Sequence, residues 1–275
     1  SNAMNRIDKT LEKLKANRKK MLSPYITAGD PYPELTVSLM HQLVKSGADV
    51  LELGIPFSDP MAEGPVIQRA MERALAHSIH CDDVLNMVRQ FRKTDTETPV
   101  ILMGYLNPIE QYGYDLFAQQ AVEAGVDGTI LVDLPPEEAD GVSRVWQKHG
   151  LYSIYLCSPT TSAERMNYIN QHANGYLYYV SLKGVTGSDA LKLPELKAQY
   201  LQRKAQSKLP LMVGFGIKTP EMAAQVAEFA DGVIVGAALI NEIIEAYEAK
   251  KDPLQASGAL LSSMRQAIDN IGSMV

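Results

Sequence analysis

Short apolar segments alternate with segments of helical period along almost the whole chain. The apolar segments are only a few residues long and end at glycine, proline or aspartate, which is typical of buried strands. Eight strands that alternate with helices over about 250 residues predict an α/β fold of the (β/α)8 TIM-barrel type. The predicted strands are residues 21–27, 50–53, 100–103, 128–132, 152–156, 176–180, 211–213 and 232–235.

Helical segments at both ends of the chain extend this pattern. An amphipathic segment at 5–18 precedes the first strand, and segments at 238–249 and 253–271 follow the last one. We therefore expect an N-terminal capping helix and an extra C-terminal helix. A doubly wound open sheet is the alternative, but that fold more often has five or six strands and a glycine fingerprint after the first strand. The other predicted helices are 33–46, 65–76, 82–92, a segment through Phe117 to Gly125, 136–149, 162–173, 194–205 and 219–229.

Composition narrows the class of protein further. Of the 275 residues, 46% are apolar and 21% are charged, as in ordinary globular proteins. The net charge of −6 argues against nucleic acid or an anionic membrane as the main partner, and no apolar run is long enough to span a bilayer. Cys81 and Cys157 have no paired spacing, which indicates a reducing cytosol. Residues 1–3 resemble a remnant of tag cleavage, so the predicted domain begins at residue 4. We expect a single cytoplasmic TIM-barrel domain at 4–275.

The segment 51–65, LELGIPFSDPMAEGP, contains the strongest candidates for catalysis. Glu52 falls in a predicted buried strand, where an ionised carboxylate is costly unless it is paired or hydrogen-bonded. Glu63 follows on a loop that prolines make rigid, with Asp59 between the two. One carboxylate on a strand end and one on a loop that can close suit general acid–base chemistry. The alternative is a salt-bridged Glu52 and a Glu63 that is only a charge at a helix N-terminus.

Glycine-rich strand ends in the last third of the chain predict a phosphate site. They follow three consecutive predicted strands, at residues 184–187, 214–216 and 236–237. Glycines let backbone amides approach an anion closely, and a predicted helix begins after the last strand. Barrels frequently bind phosphate at these loops, so the three strand ends together favour a phosphate ligand.

Two other groups of residues are weaker candidates. Lys183 and Lys218 follow strands six and seven, where a Schiff-base aldolase could keep a lysine. Both fall in glycine-rich loops and not in a strand. This favours a lysine that supports the site electrostatically or is simply solvated over one that forms a Schiff base. A polar cluster between two predicted helices matches no standard zinc or calcium pattern, so we predict no metal and an aspartate N-cap there. The cluster consists of His77, His80, Cys81, Asp82 and Asp83.

The segment 51–65 closely resembles a motif of the tryptophan synthase alpha chain family. PYITAGDP at 24–31, GVTG at 184–187 and GFGI at 214–217 resemble that family's other motifs in order and spacing. The resemblance implies a lyase that cleaves indole-3-glycerol phosphate to indole and glyceraldehyde 3-phosphate by a retro-aldol reaction, without a metal or organic cofactor in this chain. The implied partner is the pyridoxal-phosphate beta chain, in an α2β2 tetramer that channels indole.

The resemblance also implies roles for individual residues. Glu52 matches the general acid–base, Glu63 the second catalytic carboxylate and Tyr178 the site tyrosine. The regions around Asp59 and Asn107 would face the beta chain. The residues implied to bind the substrate are Tyr25, Met103, Tyr105, Thr186 and Phe215, and those implied to bind its phosphate are Gly187, Gly216, Gly236 and Ala237.

The chain departs from the family pattern at two of these positions. The family has Asp where this chain has Glu63, and a displacement of about 1 Å can cost about 100-fold in a tuned site. Many relatives have serine where this chain has Ala237, so one hydrogen bond to phosphate is missing. Three hypotheses follow: an active alpha chain, a weakly active or inactive subunit that mainly binds and activates the beta chain, and another phosphosugar lyase or isomerase on the same barrel.

Overall fold

The described part of the chain contains nine parallel strands in one continuous sheet. The structure is a computed structural model that describes residues 4–60, 62–134, 136–181, 192–214 and 216–271. Numbered along the chain, the strands are β1 (Met21–Thr27), β2 (Leu51–Gly54), β3 (Val100–Gly104), β4 (Gly128–Leu131), β5 (Tyr152–Ser153), β6 (Leu156–Cys157), β7 (Leu177–Val180), β8 (Leu211–Gly214) and β9 (Gly232–Val235). Each strand is short; every residue of β1–β4, β8 and β9 is buried, and half of the residues in β5–β7 are, in keeping with a sheet that is covered on both faces.

The sheet closes into a barrel because its two end strands belong to one segment. The spatial order is β5-β4-β3-β2-β1-β9-β8-β7-β6, and only Ile154 and Tyr155 separate β5 from β6. The Ile154 amide donates to the Thr129 carbonyl at 2.9 Å, and the Tyr178 amide donates to the Tyr155 carbonyl at 3.0 Å. The (β/α)8 prediction is therefore confirmed. The predicted strand 152–156 needs a correction, because this segment pairs first with β4 and then with β7 and forms two short strands.

Helices surround the barrel close to the predicted positions. None of the described helices is long and apolar enough to cross a membrane. A 3₁₀ turn at Pro33–Leu35 precedes the second helix. The helices are α1 (Arg6–Ala16), α2 (Thr36–Lys45), α3 (Pro65–Ala76), α4 (Cys81–Arg92), α5 (Leu106–Tyr112), α6 (Tyr114–Ala124), α7 (Pro136–Lys148), α8 (Ala163–His172), α9 (Leu193–Gln206), α10 (Pro220–Ala227), α11 (Ala237–Glu248) and α12 (Pro253–Asp269).

Two local features differ from the sequence predictions. The short helix α5 was not predicted, and the Leu106 amide at its start donates to Asp133 Oδ1 from a different strand end at 2.7 Å. The residue that caps α4 is His80 and not an aspartate. Asp83, three residues further on, reaches back to accept from the His80 amide at 2.9 Å. Both helix starts thus depend on side chains that lie outside the helix cap itself.

The predicted capping helix α1 closes the amino-terminal end of the barrel. Ile7 is fully buried and packs with residues of the barrel interior, such as Tyr176. Arg6 Nη1 forms an ion pair with the buried Asp127 carboxylate at 3.0 Å, and Arg92 Nη2 pairs with the other oxygen at 2.9 Å. With this end closed, access to the barrel interior is from the carboxyl ends of the strands.

The alternation of side chains along β2 decides where Glu52 points. Leu51 and Leu53 pack in the cluster between the sheet and the helices, whereas Val50 belongs to the interior cluster. Because successive side chains on a strand point to opposite faces, Glu52 shares the inward face with Val50. A carboxyl group therefore lies among the mainly apolar side chains of the barrel interior.

Candidate active site

A cavity of about 940 Å³ opens at the carboxyl ends of the strands. Its inner wall is formed mainly by apolar and tyrosine side chains from six strands, and its rim by the loop before α3, the loop after β8 and the first turns of α11. This is the face of the barrel where TIM-barrel enzymes carry their active sites. The lining residues that bear on the chemistry are Tyr25, Glu63, Met103, Ile130, Leu156, Tyr178, Gly216, Lys218, Ile234, Gly236 and Ala237.

Glu52 is fully buried in the barrel interior, opposite Tyr25 in the β1–β2 register. Ser23 Oγ donates a long hydrogen bond of 3.5 Å to Glu52 Oε2. The other oxygen, Oε1, has no hydrogen-bond partner among the described residues. Glu52 does not itself line the cavity, but it interacts electrostatically with Tyr178, which does. The carboxyl group is thus held loosely, directly behind the cavity wall.

Glu63 lies on the rim of the cavity, on the loop between β2 and α3. Its amide donates to the Pro60 carbonyl at 3.0 Å, and its carbonyl accepts from Gln68 Nε2 at 2.6 Å. The first bond closes a turn within the loop, and the second ties the loop to α3. The structure therefore holds the second predicted carboxylate at the cavity, with its backbone fixed on both sides.

The two carboxyl groups influence each other's ionisation. Burial raises the pKa of Glu52 to about 8, and the nearby charge of Glu63 contributes to this rise, while the Ser23 hydroxyl opposes it. Burial raises the pKa of Glu63 to about 7, against the effect of the neighbouring Tyr105 hydroxyl. Two coupled acids of this kind lose their protons in successive steps. Near neutral pH, Glu63 ionises first and Glu52 keeps its proton.

Tyr105 supports the Glu63 loop. Its ring stacks on Phe57 from that loop, with ring centroids 4.9 Å apart and an interplanar angle of 20°. Tyr105 is 4% exposed and is not among the described residues that line the cavity. Tyr105 thus lies beside Phe57 and Glu63, and its contact with the substrate stays a prediction.

Tyr25 and Tyr178 line the cavity because the neighbouring strands end in glycine. A Cβ atom on Gly54 would overlap the phenol of Tyr25, and a Cβ atom on Gly214 would overlap the phenol of Tyr178. The Tyr25 hydroxyl is also hydrogen-bonded to Thr27 Oγ1 at 2.9 Å. Gly214 was grouped with the phosphate glycines in the sequence analysis, but the structure shows that it provides space for a ring.

The predicted phosphate residues that the structure describes line the same cavity. Gly216 follows β8, Gly236 is the N-cap of α11, and Ala237 is its first residue. The N-cap has no side chain to occupy the first N–H groups of α11, which leaves them available to an anion. The remaining predicted residues, Thr186, Gly187 and Phe215, lie outside the described residues.

Lys218 lies at the cavity rim in a loop, as its sequence context predicted, and Lys183 lies outside the described residues. The polar cluster before α4 has other partners, since His77 Nε2 is hydrogen-bonded to the Pro31 carbonyl at 3.1 Å. In the described ranges, no group of three or more His, Cys, Asp or Glu residues is arranged to hold a metal ion.

Sequence reasoning missed Ser23, Gly54 and Phe57 as parts of the site. Ser23 is the one hydroxyl residue in the first four positions of β1, and it points inward like Glu52. A polar side chain inside an apolar strand was the signal that identified Glu52, and the same signal could have identified Ser23. The roles of Gly54 and Phe57 depend on tertiary neighbours, Tyr25 and Tyr105, and have no comparable local signal.

Known proteins resemble this chain along most of its length. The family model described as "Tryptophan synthase alpha chain" matches residues 11–269. The tryptophan synthase alpha chain of Legionella pneumophila (strain Paris) is 99% identical over 272 residues, which are 99% of this chain and 100% of that protein. The tryptophan synthase alpha chain of Laribacter hongkongensis is 54% identical over 266 residues, which are 97% of this chain and 100% of that protein.

Solved structures resemble the chain in the same way. A crystal structure of tryptophan synthase subunit alpha from Legionella pneumophila str. Paris matches with a TM-score of 0.94 and 97% identity, over 98% of this chain and 100% of that one. A tryptophan synthase structure from M. tuberculosis, in an aminoacrylate-bound form, matches with a TM-score of 0.84 and 31% identity, over 96% of this chain and 100% of that one. The fold is thus shared even at low identity.

Proposed function

The chain belongs to the tryptophan synthase alpha chain family, and from this premise we propose which residues perform the indole-producing step of tryptophan biosynthesis. The reaction cleaves indole-3-glycerol phosphate to indole and glyceraldehyde 3-phosphate. The observation that carries the assignment is the pair of carboxyl groups, Glu52 and Glu63, whose raised pKa values lie close together around neutral pH. Perturbed acids in a cleft are typical of catalytic groups.

Glu52 is the proton donor and acceptor of the reaction. Its neutral form gives a proton to indole C3, and the carboxylate that results accepts the proton of the glycerol hydroxyl while the carbon–carbon bond breaks and the aldehyde forms. The proton on Glu52 is thereby restored at the end of the cycle. Among the described residues a single 3.5 Å hydrogen bond from Ser23 holds this group and Oε1 has no partner, so few bonds must be broken for the carboxyl group to reach the substrate.

Glu63 stabilises the charge that appears on the indole ring. Protonation at C3 makes the ring N–H positive, and an ionised carboxylate at the cavity rim offsets that charge. The order of ionisation suits both roles, since Glu63 loses its proton at a lower pH than Glu52. The apolar wall around Met103 and Ile130 accepts the indole ring, and the glycines at the start of α11 accept the phosphate.

The rate of indole release is expected to depend on pH as a narrow bell. The value of kcat/KM rises as Glu63 ionises near pH 7 and falls as Glu52 loses its proton near pH 8, because the active form needs one ionised and one neutral carboxyl. The measurement is indole release from indole-3-glycerol phosphate between about pH 5 and 10, with and without a beta chain. Activity that still increased beyond about pH 9 would contradict the assignment.

Shortening Glu63 tests whether this chain is adapted to its longer side chain. We expect Glu63→Asp to lower kcat/KM by about 10-fold, since withdrawal of the carboxylate by about 1 Å misplaces it. Glu63→Gln, which keeps the length and loses the charge, is the companion variant and should lower it further. If Glu63→Asp raised the rate instead, the hypothesis of a weakly active subunit that mainly activates the beta chain would be supported.

We expect a beta chain to be the partner, in an α2β2 tetramer, and to contain the pyridoxal phosphate. The steps described above are proton transfers and charge stabilisation, which carboxyl groups supply without an organic cofactor or metal in this chain. Asp59 and Asn107 are exposed, and we propose that the regions around them face the beta chain. We expect the protein in the cytoplasm. Addition of a beta chain should increase indole release, and size-exclusion chromatography should show the mixed tetramer.

A further inference from the structure

The charged side chains around the cavity are unevenly balanced. Glu63, Glu242 and Glu245 line it with negative charge, and Lys218 is the one Lys, Arg or His residue among the described lining residues. In the part of the chain that the structure describes, Lys218 takes part in no ion pair. Its ammonium group is thus a cation at the entrance to an otherwise acidic cavity.

The predicted phosphate residues that the structure describes offer a phosphate dianion only backbone donors. Gly236 has no side chain, Ala237 has only a methyl group, and Gly216 offers only its backbone. Backbone amides and the α11 dipole supply partial positive charges, but none of these groups carries a full charge. Lys218 follows Gly216 by two residues and lines the same cavity, so its flexible stem can bring a full positive charge to this end.

We propose that Lys218 is a positioning residue that binds the phosphate of the substrate and compensates for the missing hydroxyl at Ala237. This inference rests on the proposed function and extends it to a residue that the family motifs did not assign. A lysine ammonium binds phosphate as a point charge. It acts on the end of the substrate that does not react, so it contributes to binding and not to the proton transfers.

Substitution of Lys218 tests the proposal by a split between binding and turnover. For Lys218→Gln we expect the KM for indole-3-glycerol phosphate to rise about 5- to 10-fold, with kcat changed by less than about twofold, since a uniform binding interaction is lost. Lys218→Arg keeps the charge and should restore KM to near the original value. Lys148→Gln is the matched control, because Lys148 is an exposed lysine in the last turn of α7, outside the cavity.

Direct binding separates this inference from the proposed function. We expect the Kd of glycerol 3-phosphate, measured by calorimetry, to rise about 5- to 10-fold in Lys218→Gln, while the Kd of indole, which has no phosphate, stays the same. An unchanged Kd for glycerol 3-phosphate, or an equal loss for both ligands, would overturn the role of Lys218. Failure of the proposed function would show differently, as no indole release by the unsubstituted chain with its beta partner.

Discussion

Replacement of Glu52 by glutamine is expected to lower indole release by about 1,000-fold, because the proton donor to indole C3 is lost while shape is kept. The amide cannot donate and then accept a proton as the carboxyl group does. The measurement is single-turnover and steady-state release of indole at about pH 7.5, between the two pKa values, in the presence of a beta chain. Residual activity within about tenfold of the original would show that another group transfers the proton.

The same substitution is expected to stabilise the fold at alkaline pH. Burial raises the pKa of Glu52 from 4.5 to about 8, so between these values the folded state holds a proton that the unfolded state has released. Stability from this group is therefore present at low pH and is lost as pH rises towards 8. Glutamine needs no proton, so we expect the Tm at about pH 8.5 to rise by about 5 °C or more.

Thermal unfolding at two pH values checks this expectation. At about pH 5 the substituted and original chains should melt at nearly the same temperature, because Glu52 is then neutral in the folded state. Glu97→Gln removes an exposed carboxylate and serves as the control for the change in net charge. A lower Tm for Glu52→Gln at both pH values would contradict this expectation. It would indicate that partners stabilise the Glu52 carboxylate, so that its burial does not destabilise the fold.

Gly214→Ala, which adds a single methyl group, is expected to lower kcat/KM for indole-3-glycerol phosphate by about 100-fold. The added Cβ would overlap the phenol of Tyr178, so the ring must leave its place on the cavity wall. Because Tyr178 lines the cavity and interacts electrostatically with Glu52, we expect its displacement to change both binding and the action of the acid. Kinetics and calorimetric binding of indole measure the two effects separately.

A second glycine provides the matched control for this substitution. A methyl group added to Gly141 on α7 would meet no described atom within 4 Å, and alanine there favours the helix. Gly141→Ala should therefore keep full activity with an equal or higher Tm. Full activity of Gly214→Ala, with a Tm that shows the variant to be folded, would contradict the prediction. The space beside Tyr178 would then be dispensable, and the ring would not define the cavity.

Several features of this protein were determined by local sequence alone. The limits of β1, β9 and α3 agree with the predictions, because short apolar runs bounded by turn residues and a proline at a helix start are local signals. The position of Glu52 on a strand also followed from the chain, since a carboxylate inside an apolar run is unusual, although Glu52 is the second residue of β2 and does not lie at its end. The family motifs located Glu63 on a loop without the structure.

Other features depend on neighbours distant in sequence. The break between β5 and β6 reflects pairing with β4 on one side and β7 on the other, and no local pattern records which strand lies on each side. Gly214 resembles a phosphate glycine in sequence, but the ring of Tyr178 shows that it makes space. The stacking of Tyr105 on Phe57 joins a strand end to the Glu63 loop, and no local signal in the sequence indicates this contact.

The ionisation of the two carboxyl groups is the clearest case of a property that only tertiary structure decided. In sequence, Glu52 and Glu63 are two glutamates with the same ordinary pKa. Folding buries Glu52 fully and Glu63 in part, brings them into electrostatic contact and gives each a different neighbour, the Ser23 hydroxyl for one and the Tyr105 hydroxyl for the other. Sequence determined which residue types are present and on which elements they lie, whereas burial and distance, which exist only in the folded chain, determined which of them keeps its proton.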